Sequence, residues 1–142
     1  MKKAVMLVTL VVTMALSAMC FAAGDGSVLN KQQRVVDKFV AAVNAADSSG
    51  FVAQMSADLA PDLQSKITAA DFAAMQKQLK EKFGTQKELT FAAYERFDQG
   101  DRLTYLASYS KQKLVRAVYV FDKAGKMTEF VFVPVEIKAE NK

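Results

Sequence analysis

A chain of 142 residues with 51% hydrophobic residues and a net charge of +4 has room for a single domain. Its 19 lysines and arginines are dispersed among 15 acidic residues, which excludes a typical nucleic-acid-binding surface, because phosphate binding needs concentrated positive charge. The chain has no histidine and one cysteine, so no intrachain disulfide and no histidine base is available. No cofactor or metal motif is recognised: Gly24-Asp25-Gly26 is too short and has too few acids for a calcium loop.

The first 22 residues have the pattern of a secretory signal peptide. Lys2 and Lys3 form the basic start, a long apolar run follows, and small residues precede a predicted cleavage after Ala22. We therefore expect an exported protein, periplasmic or secreted, with one mature domain over residues 23–142 and no stable membrane insertion.

Two alternatives to simple cleavage stay open. Residues 4–23 are nearly long enough to span a bilayer as an uncleaved anchor. Cys20 would be the acceptor in a lipoprotein, although the bulky Met19 before it is unusual for such a site.

Apolar residues at helical spacing predict a helix-rich first half after a flexible stretch at residues 23–27. The first helix is expected from Val28 to Ala46, and a shorter one from about Gly50, with Phe51 and Met55 on one face. Residues 56–66 read as a broken helical segment with Pro61 in a first helical turn.

A further helix is predicted to begin after Thr68, with Asp71 completing a capping box, and to end at Gly84. Its inward stripe is Phe72, Met75, Leu79 and Phe83. A stripe of this spacing is typical of a core-facing helix rather than a cofactor site.

Four strands are predicted next, over residues 89–97, 102–110, 114–122 and 127–137. Short polar turns separate them, and Gly125 is expected in a bulged turn. Pro134 cannot donate to a ladder, so it is expected on an open side of the last strand or at a bulge.

Tight turns at Gln99-Gly100 and Lys111-Gln112 would sort the strand residues onto two faces, and a slip of one residue would exchange them. Both faces come out apolar, so we expect helices on one and a second copy of the chain on the other, giving a homodimer. The first predicted face is Tyr94, Arg96, Leu103, Tyr105, Ala107, Tyr109, Leu114, Arg116, Val118, Val120, Phe130 and Phe132. The second is Phe91, Ala93, Glu95, Phe97, Leu106, Val115, Ala117, Tyr119, Phe121, Val131 and Val133.

The candidate ligand-binding residues are Tyr94, Tyr105, Tyr109 and Arg116, on the side expected to face the helices. Tyrosine hydroxyls and a guanidinium at an apolar pocket would suit a small apolar, amphipathic or carboxylate ligand. The alternative is that the tyrosines are core rings and Arg116 pairs with an acid.

Two stretches carry a family resemblance: VDKFVAAVNAADSSGFVAQMS near the start and VYVFDKAGKMTEFVFVP near the end. Together with the order of helices before an antiparallel meander, they resemble the nuclear transport factor 2-like (cystatin-like cone) superfamily, closest to small exported bacterial domains. The resemblance implies an α+β fold with N-terminal helices packed on a curved four-stranded antiparallel sheet. It implies no particular activity, because this fold hosts enzymes, adaptors and accessory domains.

The expected function is that of an exported, non-enzymatic domain binding a small apolar or amphipathic ligand or a protein partner. No catalytic residue, metal ligand or cofactor is assigned. The alternative is a small isomerase or dehydratase that uses tyrosine and carboxylate groups, and a purely structural accessory role is the third hypothesis.

Overall fold

The computed structural model describes residues 23–45 and 50–138, and within them four helices precede a four-stranded antiparallel sheet. The helices are α1 (Ala23–Asn44), α2 (Phe51–Met55), α3 (Pro61–Lys66) and α4 (Ala69–Phe83), and the strands are β1 (Gln86–Phe97), β2 (Gly100–Tyr109), β3 (Val115–Asp122) and β4 (Met127–Pro134). The predicted α+β class is confirmed. The predicted signal peptide, with Cys20, lies outside the described residues.

Residues 23–27 already belong to helix α1, which was predicted to start at Val28, so the prediction of a flexible stretch over these residues was wrong. Once a helix has formed, each residue added to its end gains one backbone hydrogen bond. The helix can therefore extend at little cost in free energy, even through residues of low helix propensity. Its inward face carries residues three and four apart, among them Val36 and Phe39, which are both fully buried.

The segment from α2 to α3 joins the helices to the edge of the sheet. Phe51 and Met55 on α2 are buried, as their spacing predicted. Leu59 forms an isolated parallel bridge with Met127, and the Ala60 N–H donates to the Met127 carbonyl at 2.8 Å. The short helix α3 then starts with Pro61 in its first turn, also as predicted.

Helix α4 has the predicted capping box and the predicted end. The Thr68 hydroxyl accepts from the Asp71 N–H while the Asp71 carboxylate accepts from the Thr68 N–H. Gly84 follows the helix with φ of 83°, and a Cβ there would lie 2.0 Å from the Ser110 hydroxyl. Glycine is therefore required both for the backbone angle and for the close approach of the β2–β3 loop.

Strands β1 to β4 pair in sequence order as a meander. The pairing of β1 with β2 shifts between Phe91 and Ala93, a bulge that adds one residue to β1. Phe91 consequently lies opposite Tyr105 on the helix-facing side, whereas the prediction placed it on the other face. The rest of β1 and β2 has the predicted faces.

The side chains of β3 lie on the opposite faces of the sheet from those predicted. The turn assumed at Lys111-Gln112 is wrong by one residue, because Ala107 pairs with Val115 and the Tyr109 N–H donates to the Gln112 carbonyl. A shift of one residue turns every side chain to the other face. The side chains facing the helices are therefore Val115, Ala117, Tyr119 and Phe121, and those facing away are Arg116, Val118 and Val120.

Phe39 of α1 is the centre of the core between the helices and the sheet. Its ring lies 5.7 Å from that of Tyr119 and 4.6 Å from that of Phe130, measured between centroids. Phe51 and Phe72 stack on each other with centroids 3.5 Å apart and both meet Phe39 edge-on. Aromatic contacts thus join α1, α2 and α4 to β3 and β4, and this packing accounts for the burial of the helix-facing side of the sheet.

Candidate functional site

The predicted ligand-binding tyrosines share the helix-facing side of the sheet but do not converge on one point. Tyr105 and Tyr109 are both buried and lie four residues apart on β2, about 13 Å along an extended strand. Tyr105 packs against Tyr119 in the centre, Tyr109 packs against Phe83 at one end, and Tyr94 lies towards the other end.

Arg116 is not part of this group. It pairs across the ladder with Leu106 on β2 and Val133 on β4, so it lies on the side of the sheet away from the helices. The expected grouping of Arg116 with the three tyrosines is therefore wrong. The error arises because the turn between β2 and β3 was assumed one residue away from its actual position, which exchanges the faces of β3.

Burial raises the pKa of every tyrosine that faces the helices. Burial, with a smaller contribution from Asp37 and an opposing hydrogen bond from Gln33, raises the pKa of Tyr105 to about 12. Burial alone raises the pKa of Tyr109, and burial with the nearby phenols raises that of Tyr119 furthest. These phenols remain protonated at neutral pH, so they can donate a hydrogen bond but cannot serve as general bases.

A small interior cavity lies where Tyr109 and Tyr119 approach α1. Its volume is about 10 Å³, enough for about one water molecule and too small for an organic ligand. The Tyr119 hydroxyl is buried and has no hydrogen-bond partner among the described residues. Sequence reasoning missed Tyr119 because it assigned β3 to the wrong face.

A polar cluster at the β1–β2 hairpin comprises the buried Gln32 and Asp101, the half-buried Tyr94 and the exposed Arg96. Asp101 accepts from Gln32 Nε2 at 2.7 Å and from Arg96 Nε at 3.2 Å. Arg96 Nη2 also donates to the Tyr94 hydroxyl at 2.9 Å. Burial, followed by the negative charge of Asp101, raises the Tyr94 pKa. Gln32 could have been noticed from the sequence, because it stands at helical spacing before Val35, Val36 and Phe39.

This polar cluster brings together a tyrosine and a carboxylate, the two groups that the enzyme alternative requires. Asp101 is already engaged by two donors, one of which belongs to α1. The cluster therefore fastens α1 to the β1–β2 hairpin, and neither the interior cavity nor the groove described below includes any of its residues. In the part of the chain that the structure describes, no three His, Cys, Asp or Glu side chains come together as a metal site.

An open groove of about 640 Å³ lies between the end of α1, one face of α4 and the start of β1. We refer to it as the α1–α4 groove. Its apolar floor includes Val43, Leu79 and Tyr109, and its rim carries Lys77 and Lys80. The groove could not be predicted from the sequence, because it is assembled from four separate segments.

The outer face of the sheet, away from the helices, carries a second set of apolar residues. Phe97 is 46% exposed, Leu106 38% and Val131 39%. All the sheet residues in the core clusters of the described chain lie on the opposite, helix-facing side. The apolar residues of the outer face are Ala93, Phe97, Leu106, Val118, Val120, Val131 and Val133.

Charged side chains lie among the apolar residues of the outer face. Arg102 pairs with Glu95 at 3.4 Å and lies over the Phe97 ring at 4.8 Å from its centroid. Arg116 on β3 and Glu129 on β4 lie on opposite sides of the row formed by Val118 and Val131, each two residues along its strand from that row. The outer face thus combines exposed apolar side chains with charged ones, and Arg116 lies between Leu106 and Val133 within the apolar set.

A scan against protein-family models finds none that matches, and a search of the curated proteins finds no match. Similarity to the nuclear transport factor 2-like superfamily remains a prediction from the sequence. Within residues 23–45 and 50–138, every helix is too short or too polar to cross a membrane.

Proposed function

We propose that the protein is an exported, non-enzymatic domain that functions by binding a protein partner through the outer face of its sheet. The proposal includes removal of residues 1–22 and a periplasmic or secreted domain over residues 23–142. It also includes the cone-shaped nuclear transport factor 2-like form of the α+β fold. The observation that carries the binding function is the exposed apolar outer face.

The character of the outer face favours a protein over a small molecule. Contiguous apolar surface rimmed by polar groups commonly marks a protein interface. Small ligands bind in concave sites, and the cavity on the helix-facing side of the sheet has a volume of only about 10 Å³. Strands also present their side chains in flat, regular rows, which suits packing against another sheet about 10 Å away.

A second copy of the chain is the partner that this surface fits best. A two-fold axis lets one apolar patch cover another without a second complementary surface. With the axis across the strands at the Val118–Val131 row, Glu129 of the second copy would lie beside Arg116. The same operation creates the reciprocal pair, so the two Arg116–Glu129 pairs would favour this orientation of the homodimer.

Sedimentation velocity of the purified protein at micromolar concentration tests the proposal, with a dimer as the expected result. Val131→Lys places a charge at an exposed apolar position of the outer face and should give a monomer. Gln78→Lys adds the same charge on an exposed position of α4 and should leave the dimer intact. A monomeric parent protein, with Val131→Lys equally soluble and stable, would refute the proposal.

A charge exchange tests the orientation. Arg116→Glu or Glu129→Arg alone should weaken the dimer, because each places like charges together across the axis. The double variant should recover the affinity. Dimers of unchanged affinity in both single variants would mean that these two residues do not face each other.

A further inference from the structure

We propose that the α1–α4 groove binds an amphipathic carboxylate, an organic acid with a medium-length acyl chain. This site is on the helical side of the molecule, whereas the outer face lies on the opposite side of the sheet. The groove has a size typical of small-molecule sites, and it combines an apolar floor with cationic groups at its rim. The apolar floor would hold the acyl chain, and the cationic groups would hold the carboxylate.

The lysines of the rim provide the site for the carboxylate. Lys77 and Lys80 are three residues apart on α4 and therefore lie on the same helical face. Lys77 has a salt bridge with Glu81 at 3.9 Å, but both side chains are largely exposed and the pair is long. Such a surface pair is weak, so a carboxylate can replace it at little cost. Of the described residues that line the groove, none is acidic.

The Gln76 side chain hydrogen-bonds backbone carbonyls that would otherwise repel an anion in the groove. The end of α1 borders the groove, and exposed carbonyls at a helix C-terminus would repel a negative charge. The Gln76 side-chain amide donates to the carbonyl oxygens of Ala42 at 2.7 Å and Val43 at 3.1 Å. These carbonyls are therefore satisfied within the protein, and the charged residues among the described lining of the groove are Lys77 and Lys80.

The floor of the groove provides the site for the acyl chain. Val43, Leu79 and Tyr109 present aliphatic and aromatic surface, and each methylene buried against them contributes about 0.8 kcal/mol. Tyr109 also lines the interior cavity, which at about 10 Å³ cannot accept the chain. The chain would therefore lie along the floor and end against the Tyr109 ring.

Calorimetric titration of the purified protein with decanoate, below the concentration at which decanoate aggregates, tests the site. We expect saturable binding that weakens with rising salt, because the head group is held by exposed charges. Decanol and decyltrimethylammonium have the same chain with a neutral or a positive head group and should bind more weakly. The absence of saturable decanoate binding, or equal binding of the cationic amphiphile, would overturn the proposal.

Matched variants locate the binding. Ala73→Trp should fill the groove and abolish binding, whereas Ala74→Trp on the adjacent exposed position should retain it. Replacing both Lys77 and Lys80 by alanine should weaken binding about fivefold or more, whereas replacing Lys31 and Lys66 should have little effect. Binding that survives Ala73→Trp would place the ligand elsewhere and overturn the proposal. Val131→Lys should bind decanoate like the parent, so failure of the dimer and failure of this site are separately observable.

Discussion

At the scale of single residues, the Thr68–Asp71 capping box shows how a local signal determines a local structure. The side chain of each residue accepts a hydrogen bond from the backbone N–H of the other, and the two residues are only three positions apart. Such a motif depends on no distant part of the chain, so the sequence was sufficient to predict it. The same holds for Gly84 at the other end of α4.

Thr68→Ala should destabilise the protein by about 1 kcal/mol, because the Asp71 N–H loses its acceptor. Hydrogen bonds from the Thr68 N–H and hydroxyl hold the pKa of Asp71 below its ordinary value of 3.8, and the variant should return it towards that value. A lowered carboxyl pKa stabilises the fold above the ordinary value, and this stabilisation is lost as the pH falls through the folded-state pKa.

Urea denaturation and an NMR titration of the Asp71 carboxyl measure both effects of Thr68→Ala. Thr68→Ser keeps the hydroxyl and is the matched control, expected to retain most of the stability and the low pKa. An Asp71 pKa that is the same in all three proteins would show that the capping box does not form in solution.

At the scale of elements, α4 is held by a small number of fully buried rings. Phe72 and Phe83 are almost completely inaccessible, whereas Met75 and Leu79 of the same predicted stripe are only partly buried. Leu79 borders the α1–α4 groove, which explains its exposure. The helical period thus predicts the inward face, but the depth of burial along it depends on how α1 and β2 approach.

Phe72→Ala should destabilise the protein by about 3–5 kcal/mol, because it removes the ring stacked on Phe51 and leaves a cavity next to Phe39. Lys80→Ala on the exposed side of α4 should change the free energy of unfolding by less than about 0.5 kcal/mol. Leu79→Ala should fall between them. Similar midpoints for the three variants in urea would mean that α4 does not pack through this face.

For the strands, the sequence predicts their positions but does not determine which alternate residues face the helices. The positions of all four were predictable from their composition, yet the facing of β3 depended on one residue in the loop after Tyr109. Because VRAVYVF is apolar apart from Arg116, the alternation of apolar and polar residues that would distinguish its two faces is nearly absent. The bulge before Ala93 is likewise a product of pairing and has no clear sequence signal.

At the scale of the whole molecule, the candidate sites depend on contacts between distant segments. The polar cluster joins Gln32 and Asp101, which are 69 positions apart, and the α1–α4 groove uses parts of α1, α4, β1 and β2. Tyrosines could be recognised as candidates from the sequence, but their distribution along the sheet could not. The apolar outer face was predictable, because β3 and β4 are apolar in either register.

The distribution of the tyrosines leads to a prediction about the whole fold at alkaline pH. All four tyrosines have a pKa above the ordinary value of 10.0, chiefly because of burial, and they lie on three of the four strands. A phenol with a raised folded-state pKa stabilises the fold fully below pH 10, since both states are then protonated. Above pH 10 the unfolded chain loses these protons first, so stability falls as the pH rises towards the folded-state values.

Absorbance at 295 nm and far-ultraviolet circular dichroism, followed together from pH 8 upwards, measure this linkage. Phenolate formation should lag behind that of free tyrosine and then rise steeply as the secondary structure is lost. Tyr119→Phe removes the most deeply buried phenol, whose hydroxyl has no hydrogen-bond partner among the described residues, and should move the transition to higher pH. Tyrosines that titrate independently near pH 10, with unchanged circular dichroism, would show that burial does not control their ionisation and that these rings are accessible in solution.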